Sequence, residues 1–196
     1  MANKKQKEEK LHPTLYYEKR RVTEAQMQFD FISELVWKCD AKFGEDWIRS
    51  NIWSYGAGIE FKDLSQDDYL WVKRTLSSIV SSNTDQSKIG DFKKESSGRL
   101  LQLTKMVTIG HIKYIDDGEE KKATVTTWVA FNWGLPDTCE VTYKTETREV
   151  DGNSIRDRAY HVDEMDGKLY HTETTEVIKC NKPILEAVFE GQQQNV

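Results

Sequence analysis

The sequence predicts an α+β domain in which N-terminal helices pack on one face of a long antiparallel meander sheet of about five to six strands. Three observations carry that expectation. Apolar residues recur at helical steps over 23–43 and 65–82. Apolar and polar residues alternate through most of 99–180. Asp117-Gly118, Asp151-Gly152 and Asp166-Gly167 punctuate the alternating runs, and Asp-Gly suits the type I′ hairpin turn because both central residues need positive φ.

Taken in order, residues 1–22 form a basic arm that carries Lys4, Lys5, Lys7, Lys10, Lys19, Arg20 and Arg21 against Glu8, Glu9 and Glu18, a local charge of +4. The whole chain sums to −5, which leaves −9 for the remainder. Thr23-Glu24-Ala25-Gln26 has the spacing of a capping box and predicts a helix from Thr23 to about Phe43. Its stripe reads Ala25, Phe29, Ile32, Val36, Cys39 and Phe43, widened by Met27, Phe31 and Leu35, so the helix is expected to be well buried. Gly44 supplies its stop. A short helix over 45–51 carries Trp47 and Ile48, and Gly56-Ala57-Gly58 is read as a flexible turn because it lacks the lysine and third glycine of a phosphate loop. Ser65, with Asp68 three residues on, caps a second long helix to about Ser82.

Residues 83–98 read as a basic loop, and from Lys88 onward Lys88, Lys93, Lys94 and, just beyond the loop, Arg99 and Lys105 surround Phe92 in the pattern that suits single-stranded nucleic acid. The β-meander occupies 99–180, within a single domain spanning 23–190. Ile184–Phe189 is expected as a short edge strand, and 191–196 as a frayed tail.

Two-residue turns at 151–152 and 166–167 make opposed residues total 303 and 333. Tyr143, Tyr160 and Glu173 then share a row across three strands, flanked by His171 on one side and Arg158 on the other. A carboxylate beside a guanidinium, an imidazole and two phenols is a candidate ligand pocket: Glu173 to accept a proton, His171 to shuttle one, Arg158 to hold an anion. An Arg158–Glu173 ion pair at the sheet rim with ordinarily packed tyrosines explains the same residues. In the preceding hairpin the core face continues through Met106, Gly110, Ile112, Ala123, Val125, Val129, Phe131 and Trp133.

The succession helix, short helix, short strand, helix and long meander over 23–180 resembles the cone-shaped α+β family of nuclear transport factor two and ketosteroid isomerase. That resemblance implies a curved sheet wrapped around a long helix, with an interior pocket used for small ligands, catalysis or partner binding. The 22-residue arm and the basic loop depart from the family pattern.

The three cysteines are widely spaced and odd in number, which argues against a disulfide framework or a zinc site and for a reducing cytoplasm. No secretory h-region is present and no window approaches the apolar length of a membrane span. His161, Asp163 and His111 lack the spacing of a metal set, no cofactor fingerprint occurs, and no catalytic motif is recognisable. The function these features favour is a non-catalytic intracellular binding protein that docks on a nucleic acid or nucleoprotein complex through the arm and loop, as an inhibitor or accessory factor of a phage or mobile element would. The alternatives are a small-molecule-binding or proton-transfer protein using the sheet pocket, and a structural or assembly subunit forming homo-oligomers.

Overall fold

The computed structural model describes residues 13–55, 57–84, 89, 91–116, 119–149, 162–165 and 168–193. Among them are four helices and eight strands, an α+β arrangement. In chain order these are α1 (Pro13–Phe43), α2 (Glu45–Asn51), β1 (Ile52–Tyr55), β2 (Gly58–Lys62), α3 (Gln66–Asn83), β3 (Lys93–Ser97), β4 (Leu100–Asp116), β5 (Glu119–Gly134), β6 (Cys139–Glu149), β7 (Val162–Met165), β8 (Lys168–Cys180) and α4 (Ile184–Gln193). The chain divides into two compact units, one of residues 1–94 with 102–132 and one of residues 95–101 with 133–196.

The strands form two sheets. One has the order β1-β2-β5-β4-β3 and the other β6-β8-β7. A continuous meander, on which the likeness to the nuclear transport factor two family rested, is therefore not seen among the described residues. The departure begins at β2, which pairs parallel to β5 from Gly58↔Trp128 to Lys62↔Asn132. A parallel pair needs a long crossover, and here α3, β3 and β4 lie between the two strands in sequence. The backbone seals both ends of the pairing: Trp128 N donates to Ala57 O at 3.2 Å and Asp63 N donates to Asn132 O at 2.9 Å. Gly58 belongs to this strand rather than to a flexible turn. A Cβ there would lie 2.9 Å from the Trp128 ring and 3.1 Å from its carbonyl oxygen.

Helix α3 starts as its sequence dictates, with Ser65 Oγ accepting from Asp68 N at 3.2 Å. Its apolar positions Tyr69, Val72, Leu76, Ile79 and Val80 are buried. Helix α1 begins ten residues before the expected start. Pro13 stands at its first position, where a missing N–H costs nothing. Thr23, instead of capping, lies inside the helix and donates its hydroxyl to Lys19 O at 2.9 Å. Hence Lys19, Arg20 and Arg21 ride on a helix rather than on a flexible arm. The buried row of α1 is Phe31, Leu35 and Cys39, flanked by Met27, while Phe29 is exposed. The helix is thus buried on one side only.

In β4 the buried positions are odd at Leu101, Leu103, Val107 and Ile109, broken by a buried Thr104 and a half-buried Lys105, and then shift to Gly110 and Ile112. Met106 falls out of phase and is exposed rather than on the core face. Segment 184–193 is helical, not an edge strand. Ile184, Leu185, Val188 and Phe189 have the i, i+4 spacing of one helix face, and Ala187 N donates to Pro183 O at 3.0 Å to open the first turn.

The largest correction concerns the second sheet. Strand β6 pairs with β8 rather than with the strand after Asp151-Gly152, from Cys139↔Cys180 to Glu149↔Tyr170. The register expected about 166–167 holds, since Val162 lies opposite His171 and Met165 opposite Lys168. The three Asp-Gly pairs themselves lie outside the described residues. Pairing β6 with β8 brings Cys139 and Cys180 together, and they form a disulfide. The two cysteines are distant in sequence and become neighbours only through β6–β8 pairing, so spacing arguments missed the bond. The expectation of a reducing compartment, which rested on unpaired cysteines, loses its basis. No helix is long and apolar enough to cross a membrane among the described residues.

Two stability outcomes follow. Phe131→Ala removes a fully buried ring and should lower stability by about 3–5 kcal/mol, against less than about 0.5 kcal/mol for Phe29→Ala, in urea unfolding followed by tryptophan fluorescence. Cys139→Ser should cost about 4 kcal/mol on the chain-entropy relation for a 41-residue separation, with the same loss on reduction of the wild-type protein.

Candidate functional site

The residues expected to line a sheet pocket do not share a face. Tyr143 stands opposite Glu176, whereas Glu173 stands opposite Glu146 and His171 opposite Arg148. Strand side chains alternate between faces, so Tyr143 is on one side of the β6–β8 ribbon and Glu173 and His171 are on the other. Tyr143 is 64% exposed, Glu173 is exposed, and His171 is buried at 7%. Arg158 and Tyr160 lie outside the described residues. The row of phenol, phenol and carboxylate required β6 and β7 to be neighbours; with β8 between them, that row is not assembled.

The ribbon is instead lined by polar cross-strand pairs. Thr145 and Thr174 hydroxyls are 3.3 Å apart, Thr147 and Thr172 3.1 Å, and Lys168 Nζ donates to Glu149 Oε2 at 3.0 Å. Near its base, Glu176 Oε2 accepts from Gly98 N at 2.8 Å.

The basic set is also divided. Lys4, Lys5, Lys7, Lys10 and Lys88 lie outside the described residues. Lys19 and Arg21 are exposed on α1, and Lys93 and Lys94 are exposed on β3. Arg20 is engaged: its Nε donates to Glu24 Oε1 at 2.7 Å and its guanidinium sits 4.6 Å from the Tyr114 ring centre. Arg99 is likewise engaged, 2.8 Å from Asp137 Oδ1 and donating to Leu135 O at 3.3 Å. Phe92 is half-buried and packs edge-on against Phe131 at 5.2 Å, so its ring serves the core rather than standing free to stack on a base. Lys105 Nζ donates to Asp91 O at 3.0 Å.

A surface that sequence reasoning missed lies on the outer side of α1. Val22, Phe29 and Trp37 are 69%, 65% and 71% exposed. Steps of seven and eight residues place all three on one helix face, turned away from the Phe31–Leu35–Cys39 row. Gln26 and Ser33 fall between them on the same face. The signal is present in the sequence, because α1 carries more apolar residues than one stripe can hold, and Phe29, two residues from Phe31 and six from Leu35, is off the spacing of the buried row. The other exposed tryptophan, Trp53 on β1, has Lys62 Nζ 4.5 Å from its ring centre. By contrast Trp47 stacks on Phe43 at 4.2 Å, and Trp71 meets the same ring edge-on at 5.0 Å.

Among the described residues, no group of three or more His, Cys, Asp or Glu is placed to hold a metal ion. His111 Nδ1 lies 3.4 Å from Thr124 Oγ1, and His161 lies outside the described residues. Burial displaces two ionisations upward. Burial pushes the Cys39 thiol up from 9.0 to about 12, and burial, with Asp91 nearby, raises Tyr69. Cys39 is therefore a packed apolar group rather than a nucleophile. No protein-family model, curated protein or solved structure matches this chain.

The Cys39 displacement fixes a pH dependence. Between pH 9 and about 12 the unfolded thiol has lost its proton while the folded one keeps it, so stability is complete below pH 9 and falls as pH rises through that window. Tyr69 acts in the same direction. Urea midpoints should decline across this range, and Cys39 should resist a thiol reagent in the native protein yet react once unfolded.

Proposed function

We propose that this chain is a non-catalytic binding protein that docks on a protein partner, or on the protein part of a nucleoprotein complex, with α1 as its docking element. The observation that carries this reading is the exposed row Val22, Phe29 and Trp37. Exposed large apolar side chains scattered singly need no explanation, but a row of them on one rigid element is the form an interface takes before it is covered. Tryptophan and phenylalanine are also the anchors that dominate association energy, since each buries a large apolar area at the cost of few rotors. The helix behind the row is held by Leu35 and Cys39, both fully buried, and by Gln28 Nε2 donating to Thr126 O at 2.8 Å. The anchors are thus presented in a fixed geometry.

A second reading, docking on nucleic acid, is favoured by the segregation of charge: +4 over residues 1–22 against −9 over the rest. Lys19 and Arg21, both exposed on α1, continue in sequence the run of Lys4, Lys5, Lys7 and Lys10.

Installing a photo-crosslinking side chain at position 37 in the native cell separates the two. The first reading expects protein adducts that are lost when Phe29→Asp is added, and absence of any adduct would refute it. The second expects retention of the chain on oligonucleotides with a steep salt dependence. Deleting residues 1–12, which removes four lysines, should then flatten the log–log salt slope by about 3; a slope that does not change would refute it.

A further inference from the structure

We infer that the partner of the α1 row is the same row on a second copy of the chain, with the two helices running antiparallel about a two-fold axis beside Phe29. The inference rests on the reading of α1 as the docking element and names what docks there. Its basis is an internal symmetry of the helix surface. Lys19 and Asp40, Val22 and Trp37, and Gln26 and Ser33 are three pairs whose residue numbers each total 59. All three pairs therefore share one midpoint, between Phe29 and Asp30.

In an antiparallel helix pair with that midpoint on the two-fold axis, each of these six residues meets its mirror position on the other copy, while Phe29 and Asp30, which flank the midpoint, each approach their own copy across the axis. Isologous contacts of this kind require a surface that complements itself. Here a lysine meets an aspartate at each end, a valine meets a tryptophan one layer further in, an amide meets a hydroxyl next, and the two Phe29 rings meet beside the axis. Both signs of charge and both polar partners fall in register with no adjustment of the sequence. A helix whose outer face served a different protein would need no such mirror relation.

The covered length runs from Lys19 to Asp40, about 33 Å at 1.5 Å per residue. With one valine and two aromatic anchors from each copy, the contact would bury roughly 1,000 Å² in total, at the lower end for a specific interface. One feature opposes it. Asp30, which accepts from Gln26 Nε2 at 2.7 Å, is the residue directly after the midpoint, so the two Asp30 carboxylates approach each other. A reversible dimer in the micromolar range is the expected outcome.

Sedimentation velocity of the full chain over micromolar to submillimolar concentrations provides the test. A monomer–dimer equilibrium is expected. Phe29→Asp should weaken it by more than about tenfold. Lys19→Asp and Asp40→Lys should each weaken it, and the two together should restore it, while Asp30→Asn should tighten it. The substituted side chains lie on the outer side of the helix, and circular dichroism verifies that each variant is folded. As a check independent of affinity, a mixture of Val22→Cys and Trp37→Cys chains should form 22–37 disulfides in preference to 22–22 or 37–37. A chain that stays monomeric throughout, a double variant no better than the single ones, or like-with-like disulfides would each overturn the inference. If the chain is monomeric yet position 37 still crosslinks to another protein, self-pairing is wrong and the docking reading stands; if neither association nor adduct is seen, both fall.

Discussion

One ring fixes the first unit of this protein. Phe131, fully buried on β5, is met by Phe61 of the parallel neighbour β2 at 5.2 Å, by Tyr69 of α3 edge-on at 5.0 Å, and by Phe92 ahead of β3 edge-on at 5.2 Å. Three other segments, all distant in sequence from β5, thus converge on a single side chain. Because β2 is parallel to β5, none of these contacts is local. The parallel pair also explains why Gly58 must be glycine, since the strand approaches the Trp128 backbone and ring too closely for a Cβ.

The outer face of α1 is the consequence of a helix that is longer and less buried than its apolar content suggests. Leu35 and Cys39 hold one side against the core, and the thiol of Cys39 is so well covered that its ionisation is displaced to about 12. That leaves Val22, Phe29 and Trp37 without an intramolecular role that burial would explain. The burial of one side is what gives the other its value, because anchors on a mobile segment would lose rotational and backbone freedom on association.

What could be read from the sequence divides along a physical line. Signals that depend on neighbours in the chain were legible: the Ser65 cap, the Gly44 stop, the stripe of α3, and the register about 166–167. Signals that depend on residues distant in sequence were not. The parallel seating of β2, the insertion of β8 between β6 and β7, and the meeting of Cys139 with Cys180 each require knowing which strands are neighbours, and alternation is silent on that. The candidate pocket failed for the same reason, because its row assumed β6 beside β7. At α1 and α4 a local reading was available but misjudged: Thr23 has the chemistry of a cap and equally that of a back-bonded helix interior, and Ile184–Phe189 fits either period over so short a span.

The covalent bond between Cys139 and Cys180 turns β6, β7 and β8 into a closed ring of chain, with both exits side by side. Anything that cut the backbone inside that ring would open it without releasing a fragment, and the two pieces would still migrate as one molecule until a reductant separated them.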